Sequence, residues 1–438
     1  MSLDSIGALP THIILSKLSV DEVACLSTLS RSLNDSASDD AVWRKFCLRD
    51  LDLAIPRGPH GEACDSFKRA YYQWRASFSM YPWSLAKRVN RLWAQLKSWS
   101  SHAYPEIGAT FLRGASEATL NKLEAHLKVK LPLPMRVIYR FCDGQDPHFD
   151  NDTLDFLGLI GGYSFYDHFV NVDLLSSDQM VVETEEFIDT LGFGKRSKYI
   201  VVASSTTYSD KLFFLNCKNG QLYVGTRNIS TEGEMMSCVP YELISSVHDP
   251  KGSQQQDGLL LWLEEHLRRL QNNIIKPYTL KFRSVNLFPE ELPFCTTAVT
   301  NGVKIRASAV LVPEKSDLQE DIDKYFFAYC IRMSVLPEGC VVDGVPYSSC
   351  QLYARHWIIK GNDHVVSEVT GEGVIGMYPI LYPGSREFVY ESCSTMPCSQ
   401  GSIEGTFTFV PGSLGQTQGP PFEVIVAQFP LHLPSYIF

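Results

Sequence analysis

LPTHIILSKLSVDEVACLSTLSRSLNDSASDDAVWRKFC occupies residues 9–47, and the spacing of its apolar residues predicts a run of short helices. Pro10 can begin a helix because the first helical N–H groups have no intrahelical partner, and Ile14 follows one turn later. Ser19 and Glu22 have the spacing of a capping box, in which each residue's side chain accepts a hydrogen bond from the other's backbone N–H. The pattern therefore predicts one short helix around Pro10 and Ile14 and a second one that starts after Ser19.

A further helix follows residues 38–40, which can cap its N-terminus, and it carries Trp43 and Phe46. Short helices in so small a segment enclose little core, and residues such as Leu9 and Ile13 give the first helix more apolar surface than it can bury alone. We interpret the segment as a docking element for a second protein. The alternative is that these helices form the first layer of an ordinary globular domain.

The order of these features resembles an F-box along the whole motif, through Leu9-Pro10, residues 19–22, residues 29–31 and residues 43–46. The resemblance implies binding to the Skp-type adaptor of an SCF (Skp–cullin–F-box) ubiquitin ligase. Leu33 stands where many F-boxes carry tryptophan, and we expect docking to survive because an apolar residue is kept. The residues implied in adaptor binding are Leu9, Pro10, Ile14, Leu15, Leu18, Val23, Leu26, Leu33 and Trp43.

Composition narrows the classes of partner. The chain has 438 residues and a formal net charge of −10, and its basic residues form no stripe that could neutralise a nucleic acid backbone. No window holds the run of apolar residues that a membrane-spanning helix needs, so we expect neither a nucleic acid nor a membrane partner. The cysteines are spaced irregularly without a CxxC pair, which favours reduced thiols in the nucleus and/or cytoplasm.

Aromatic residues at helical spacing continue beyond the F-box, from Phe67 to Trp99, and we interpret them as core-facing stripes. Residues 93–99, 114–116 and 142–144, with the segments between them, resemble the SUKH (Smi/Knr-like) domain, which implies a mixed α/β interaction fold. A closing helix is predicted from Asp257 to Gln271. On its exposed side, the predicted i,i+4 ion pairs are Glu264/Arg268 and Glu265/Arg269.

The acidic loop at residues 143–155 contains five aspartates and suggests a calcium site. An EF-hand loop needs oxygen ligands at alternate positions, a glycine at the sixth position and a glutamate at the twelfth. No window in this loop supplies that set. We therefore expect a solvated acidic loop and no metal.

The C-terminal part has the two-residue periodicity of half-buried strands. Residues 303–311 alternate between apolar and mostly polar side chains, and further strand-like segments are separated by turns rich in glycine and proline. The predicted architecture of this part is an antiparallel β-sandwich. The segments in question are 325–336, 351–360, 387–392, 405–410 and 422–431.

Residues 371–376 match the GxGxxG pattern of dinucleotide-binding loops, with Gly371, Gly373 and Gly376. That site needs a helix after the glycines, and the prolines that follow exclude one, so the residues predict a glycine-rich hairpin. Together with residues 355–359, 379–384 and 388–392, the loop resembles an ApaG domain, whose fold is a fibronectin-III-like sandwich. That resemblance implies a phosphate-bearing ligand at the glycine loop. In the ligand-binding hypothesis, the backbone N–H groups of the three glycines face the phosphate, and Arg355 or His356 assists.

The resulting prediction is a multidomain α+β protein with an N-terminal helical F-box, a central mixed α/β SUKH-like domain and a C-terminal antiparallel ApaG sandwich. The predicted boundaries are F-box 5–50, helical linker 51–82, SUKH-like domain 83–271, linker 272–285 and ApaG domain 286–438.

The function implied is a non-catalytic substrate receptor of an SCF ligase, with the Skp-type adaptor, the cullin-containing complex and an unknown protein substrate as partners and no cofactor. Consistent with this, no GxSxG, HExxH or Walker motif occurs. The alternative is a protein that binds or hydrolyses a phosphate or nucleotide ligand at the glycine loop.

Overall fold

The computed structural model describes residues 7–146, 156–190, 198–205, 207, 210–226, 229, 234–279 and 283–438. It is the predicted multidomain α+β fold. The helices are α1 Ala8–Leu15, α2 Val20–Ser27, α3 Arg31–Ser38, α4 Asp40–Leu51, α5 Phe67–Phe78, α6 Trp83–Ala103, α7 Pro105–Ala109, α8 Glu117–Leu127, α9 Leu133–Phe141, α10 Ser177–Thr190 and α11 Gly258–Gln271.

The strands follow in three groups. In the centre they are β1 Gly161–Phe165, β2 His168–Leu174, β3 Tyr199–Ser205, β4 Leu212–Asn216, β5 Leu222–Gly225, β6 Met236–Ser237, β7 Lys276–Thr279 and β8 Arg283–Asn286. One face of the C-terminal sandwich contains β9 Cys295–Thr300, β10 Val303–Leu311, β11 Tyr325–Val335 and β17 Phe388–Met396. The others are β12 Cys340–Val342, β13 Val345–Tyr347, β14 Cys350–Gly361, β15 His364–Glu372, β16 Ile380–Leu381, β18 Gln400–Ser413, β19 Gln416–Thr417 and β20 Phe422–His432.

The predicted helix caps are confirmed. Ser19 Oγ accepts from the Glu22 N–H at 3.2 Å, and the Glu22 carboxylate accepts from the Ser19 N–H at 2.7 Å, which completes the capping box. Asp39 caps α4 by accepting from the Ala41 N–H at 2.8 Å. Local side-chain chemistry therefore defines where α2 and α4 begin.

The segment interpreted as a linker at residues 51–82 packs on both of its neighbours. The Tyr71 ring of α5 lies 5.5 Å from the Trp43 ring of α4. At the other end of α5, Phe78 stacks on Phe141 of α9 with ring centroids 4.6 Å apart. Helix α5 thus joins the N-terminal helices to the central part through buried aromatic contacts.

The central sheet has eight strands in the order β6-β5-β4-β3-β2-β1-β8-β7. Its last two strands come from the region interpreted as a linker and from the first residue assigned to the C-terminal domain. Strand β8 pairs in parallel with β1 at Gly162 and Asn286. The chain therefore completes the central sheet before it enters the sandwich.

Helix α11 packs on this sheet through Trp262, whose ring lies 4.6 Å from that of Phe213. It starts at the predicted position, where Asp257 caps it by accepting from the Leu260 N–H at 2.9 Å. The predicted pair between Glu264 and Arg268 is wrong. Glu264 instead binds Arg88 of α6 at 2.6 Å, and Arg268 binds Glu265 at 2.7 Å. A neighbouring helix supplies Glu264 with a better placed cation than its own helix does.

The C-terminal part is the predicted antiparallel sandwich. One sheet has the order β17-β11-β10-β9, and the other has the order β15-β14-β18-β19, with β20 paired to β18 and β16 paired to β14. Trp357 of β14 packs edge-on against Tyr329 of β11, with ring centroids 6.2 Å apart. This contact lies between the two sheets and marks the core of the domain.

Candidate functional site

The outer face of α1 presents the exposed part of the predicted adaptor surface. Leu9, Ile13 and Ile14 are 72%, 50% and 38% exposed, and Pro10 between them is also exposed. Exposed apolar residues this close together on one helix are typical of a protein-binding surface. This group of four residues is called the α1 surface below.

The other predicted adaptor-binding residues lie deeper. Leu18 and Leu26 are half-buried. Four others belong to the interior, namely Leu15, Val23, Leu33 and Trp43. Their burial means that in this structure they support the α1 surface from beneath, and the adaptor-binding role of all nine residues stays a prediction.

Contacts from the rest of the chain hold the F-box helices in place. The Trp43 indole Nε1–H donates to the Ala37 carbonyl at 2.7 Å, which ties α4 to α3. Arg75 of α5 forms an ion pair with Asp21 of α2 at 2.5 Å. Because α5 also packs on α9, the α1 surface has a fixed position relative to the central domain.

The glycine motif forms the hairpin that the sequence predicts. After β15, Val374 and Met377 exchange two backbone hydrogen bonds of 2.7 and 2.9 Å, so that Ile375 and Gly376 form the turn. Their φ angles are +42° and +76°, as in tight hairpin turns with positive φ at both central positions. Strand β16 follows the hairpin, and no helix follows it among residues 377–438.

The two polar residues predicted to assist a ligand are engaged within the protein. The Arg355 guanidinium donates to the carbonyl oxygen of Gly373 at 2.7 Å and lies against Gly371. His356 Nε2 lies 2.7 Å from a carboxylate oxygen of Glu368 on β15. Arg355 therefore fastens the hairpin to β14, and a phosphate role for this loop stays a prediction.

The tip of the hairpin lines a cleft of about 590 Å³ between the central and C-terminal domains. Ile375 and Met377 contribute from the hairpin, and the β1–β2 hairpin contributes the opposite wall. Tyr166 Oη lies 3.1 Å from Ser392 Oγ across the cleft, and Ser164 donates to Glu391. No local sequence pattern predicts this cleft, because its two walls are more than 200 positions apart in the chain.

A buried polar cluster lies beside the cleft. Lys211, directly before β4, is fully buried and donates to Tyr163 Oη at 2.8 Å. Its Nζ lies 3.9 Å from a carboxylate oxygen of Glu314, which also binds His168 Nε2 at 2.8 Å. Glu314 belongs to the sandwich domain and the other residues to the central sheet, so the cluster joins the two domains electrostatically.

The pKa values of the two charged partners reflect burial and pairing. Burial raises the pKa of Glu314, whereas Lys211 and His168 lower it. The lowering effects outweigh burial, so the pKa lies below its usual value of 4.5. Burial lowers the pKa of Lys211, and Glu314 offsets part of that change. The carboxylate therefore stays ionised inside the protein because a cation lies beside it.

Two further features concern metal binding and membrane insertion in the parts of the chain that the structure describes. No cluster of histidine, cysteine, aspartate and glutamate there has a metal-binding arrangement. Most of the acidic loop, residues 147–155, lies outside the described residues. The described helices include none that is both long and apolar enough to cross a bilayer.

Comparison with known proteins identifies the C-terminal sandwich. Residues 315–411 match the family model described as the ApaG domain. Protein ApaG of Anaeromyxobacter dehalogenans is 32% identical over 140 residues, which cover 32% of this chain and 97% of that protein. The sandwich is therefore an ApaG domain joined to further domains in a longer chain.

Two longer relatives extend the match over the remaining domains. F-box protein SKIP16 of Arabidopsis thaliana is 50% identical over 440 residues, which cover 100% of both chains. Human F-box only protein 3 is 25% identical over 418 residues, which cover 93% of this chain and 79% of its own. The chain belongs to the family of F-box proteins that carry an ApaG domain. The SUKH-like interpretation of residues 83–271 stays a prediction.

Proposed function

We propose that this F-box protein is the non-catalytic substrate-recognition subunit of an SCF ubiquitin ligase. In this proposal the F-box binds the Skp-type adaptor, and through it the cullin-containing complex. The central and ApaG domains hold a target protein for ubiquitination and proteasomal degradation. The proposed location is the nucleus and/or cytoplasm.

The observation that carries the proposal is the exposed apolar α1 surface on a rigidly mounted helical module. Leu9 and Ile13 are among the most exposed large apolar side chains of α1, and burying them against a partner would remove apolar area from water. Helix α5 fixes that module on the central domain. A substrate receptor needs such a fixed geometry because the bound target has to stay within reach of the transfer machinery.

A pull-down with purified Skp-type adaptor tests the proposal. The full chain is compared with the double variant Leu9→Ala, Pro10→Ala, which removes exposed groups of the α1 surface without opening a core cavity. The matched control is Ile322→Ala, Leu414→Ala, which removes exposed apolar side chains of the ApaG domain.

We expect the wild type and the control to capture the adaptor and the α1 variant to lose at least about tenfold in affinity, as for the loss of a central apolar contact. Capture of the adaptor at equal affinity by all three proteins would contradict the assigned surface. Capture by none of them would contradict the proposed function itself.

A further inference from the structure

The edges of the two sandwich sheets are protected to different degrees. Strands β16 and β19 are only two residues long. Strand β17 packs against the central domain through Glu391 and Ser392. On the opposite side β20 meets β9, where Thr296 Oγ1 donates to the Ala427 carbonyl at 3.2 Å. Each of these edges is therefore too short or too well covered to accept another strand.

Strand β15 lacks these protections. It spans nine residues with the sequence HVVSEVTGE, and among the strands of the described chain it is hydrogen-bonded only to β14. It contains neither proline nor lysine, the residues that commonly block pairing at an edge. All of its residues except Gly371 are exposed. The only interruption is a bulge near Val366, which leaves residues 367–372 in regular register with β14.

The backbone of β15 offers hydrogen bonds toward its open side. The Gly373 N–H donates to the Tyr353 carbonyl of β14 at 2.8 Å. Successive N–H groups of a strand point in opposite directions, so the N–H groups of Glu368, Thr370 and Glu372 point away from β14. A strand that pairs with this edge could therefore accept hydrogen bonds from a backbone N–H at every second residue of β15.

The two faces of β15 differ in chemistry. Val369 lies directly opposite Trp357, on the side of the sandwich core, and is 36% exposed, while Val366 at the bulge is 44% exposed. On the outer face Glu368 lies opposite Ile358, and its side chain is 62% exposed. Glu372 lies on the same face four residues further along the strand, opposite Ala354. The open edge thus combines an apolar inner side with an acidic outer side.

We propose that β15 binds an extended segment of the target protein as an additional strand of the ApaG sheet. The segment would alternate apolar side chains, which pack beside Val369, with lysine or arginine side chains, which face Glu368 and Glu372. Backbone hydrogen bonds supply the affinity and the alternation supplies the selectivity. This inference rests on the proposed function, because it names the surface and the class of substrate segment for that receptor.

The probe is a fluorescein-labelled peptide of alternating lysine and valine, KVKVKVK, titrated with the full chain and followed by fluorescence anisotropy. The matched probe is EVEVEVE, which has the same strand propensity and the opposite charge. Hydrogen exchange of the complex then locates the contact. We expect binding of the lysine probe, at least about tenfold weaker binding of the glutamate probe, and slower exchange at Glu368, Thr370 and Glu372.

Two variants of β15 test the contact in different ways. Thr370→Pro removes an edge-facing N–H, and proline is tolerated on an edge strand where that N–H faces solvent. Glu368→Lys, Glu372→Lys reverses the charge of the outer face without changing the backbone. The control is Glu423→Lys, an exposed residue on β20 of the same sheet. Thermal melting checks that each variant is folded.

Both β15 variants should bind the lysine probe about tenfold or more weakly than the wild type does. The control variant should bind it with an affinity within about twofold of the wild type. If Thr370→Pro lowers the melting temperature, the charge-reversal variant decides the question. Equal affinity for all proteins, equal affinity for both probes, or protection confined to the cleft between β1 and β17 would overturn the proposal. The assay does not involve the adaptor, so its failure is distinguishable from a failed adaptor pull-down.

Discussion

Ile375 has a positive φ of +42° at the tip of the glycine hairpin, where asparagine or glycine is the usual residue. A β-branched side chain in this region costs about 1–2 kcal/mol. We therefore expect Ile375→Asn to raise the free energy of unfolding by about 1 kcal/mol. Urea denaturation measures the change.

The matched control for this substitution is Ile380→Asn in β16. Ile380 is comparably exposed but lies in a strand, where asparagine is unfavourable. The control should lower the free energy of unfolding. A loss of stability in both variants would show that the Ile375 side chain contributes more through its contacts in the cleft than its backbone position costs.

Individual residues show how far the sequence predicts the adaptor-binding surface and the buried polar cluster. Leu9 and Trp43 both belong to the predicted adaptor surface, but the structure exposes the first and buries the second. The spacing of apolar residues in short helices identifies a protein-binding segment, but it does not distinguish side chains that face the core from side chains that face a partner. The roles of Lys211 and Glu314 could not be predicted, because neither belongs to a motif and they lie 103 positions apart.

At the scale of elements, the helices and strands with local signals were predictable. The capping box at Ser19 predicts the start of α2, and the period-two pattern predicts β10 over residues 303–311. Most of β7 and β8 falls in the predicted linker 272–285, and strands of only four residues carry little periodicity. Their place in the sheet depends on pairing with β1, which is more than 100 residues earlier in the chain and leaves no local trace.

Helix α5 provides a prediction at this scale. Phe78 is fully buried at the end of α5 that packs on α9, where it stacks on Phe141. Phe78→Ala should lower the free energy of unfolding by about 3–5 kcal/mol, because the cavity adds to the lost transfer energy. The measurement is chemical unfolding followed by tryptophan fluorescence. Met80→Ala, two residues further at an exposed position, should change stability by less than about 0.5 kcal/mol. Similar losses in the two variants would contradict the assigned contact.

At the scale of the whole molecule, two of the described contacts between the ApaG domain and the central domain are buried and join distant parts of the chain. The buried cluster of Lys211, Tyr163 and Glu314 is one of them. The other is the segment 433–438, which returns to α11, where Trp262 Nε1 donates to the Ile437 carbonyl at 2.7 Å and the Trp262 ring stacks on Phe438. Together with the packing of α5 on α4 and α9, these contacts connect the α1 surface to the ApaG domain through packed domains.

Removing the buried cation tests this coupling. Lys211→Met keeps most of the side-chain volume but leaves Glu314 as a buried charge without its lysine, which should cost about 3–5 kcal/mol at pH 7. The double variant Lys211→Met, Glu314→Gln should recover a large part of that loss because it also removes the buried carboxylate charge that Lys211 no longer balances. The control Lys122→Met, on the exposed side of α8, should be neutral. Equal stability of the single and double variants would contradict a direct coupling.

The same variants have a defined pH dependence. In the wild type the pKa of Glu314 lies below 4.5, so its contribution to stability is present above that pH and is lost as the pH falls through the lower folded value. Without Lys211, the largest of the contributions that lower this pKa is lost, so the carboxyl of Glu314 is protonated at a higher pH than in the wild type. The stability difference between wild type and Lys211→Met should therefore be largest at pH 7 and should shrink as the pH is lowered toward about 4. Urea denaturation across this range measures it, and a difference that stays constant with pH would place the lost stability in the hydrogen bonds of Lys211 to Tyr163 and Phe438 instead of in the ion pair.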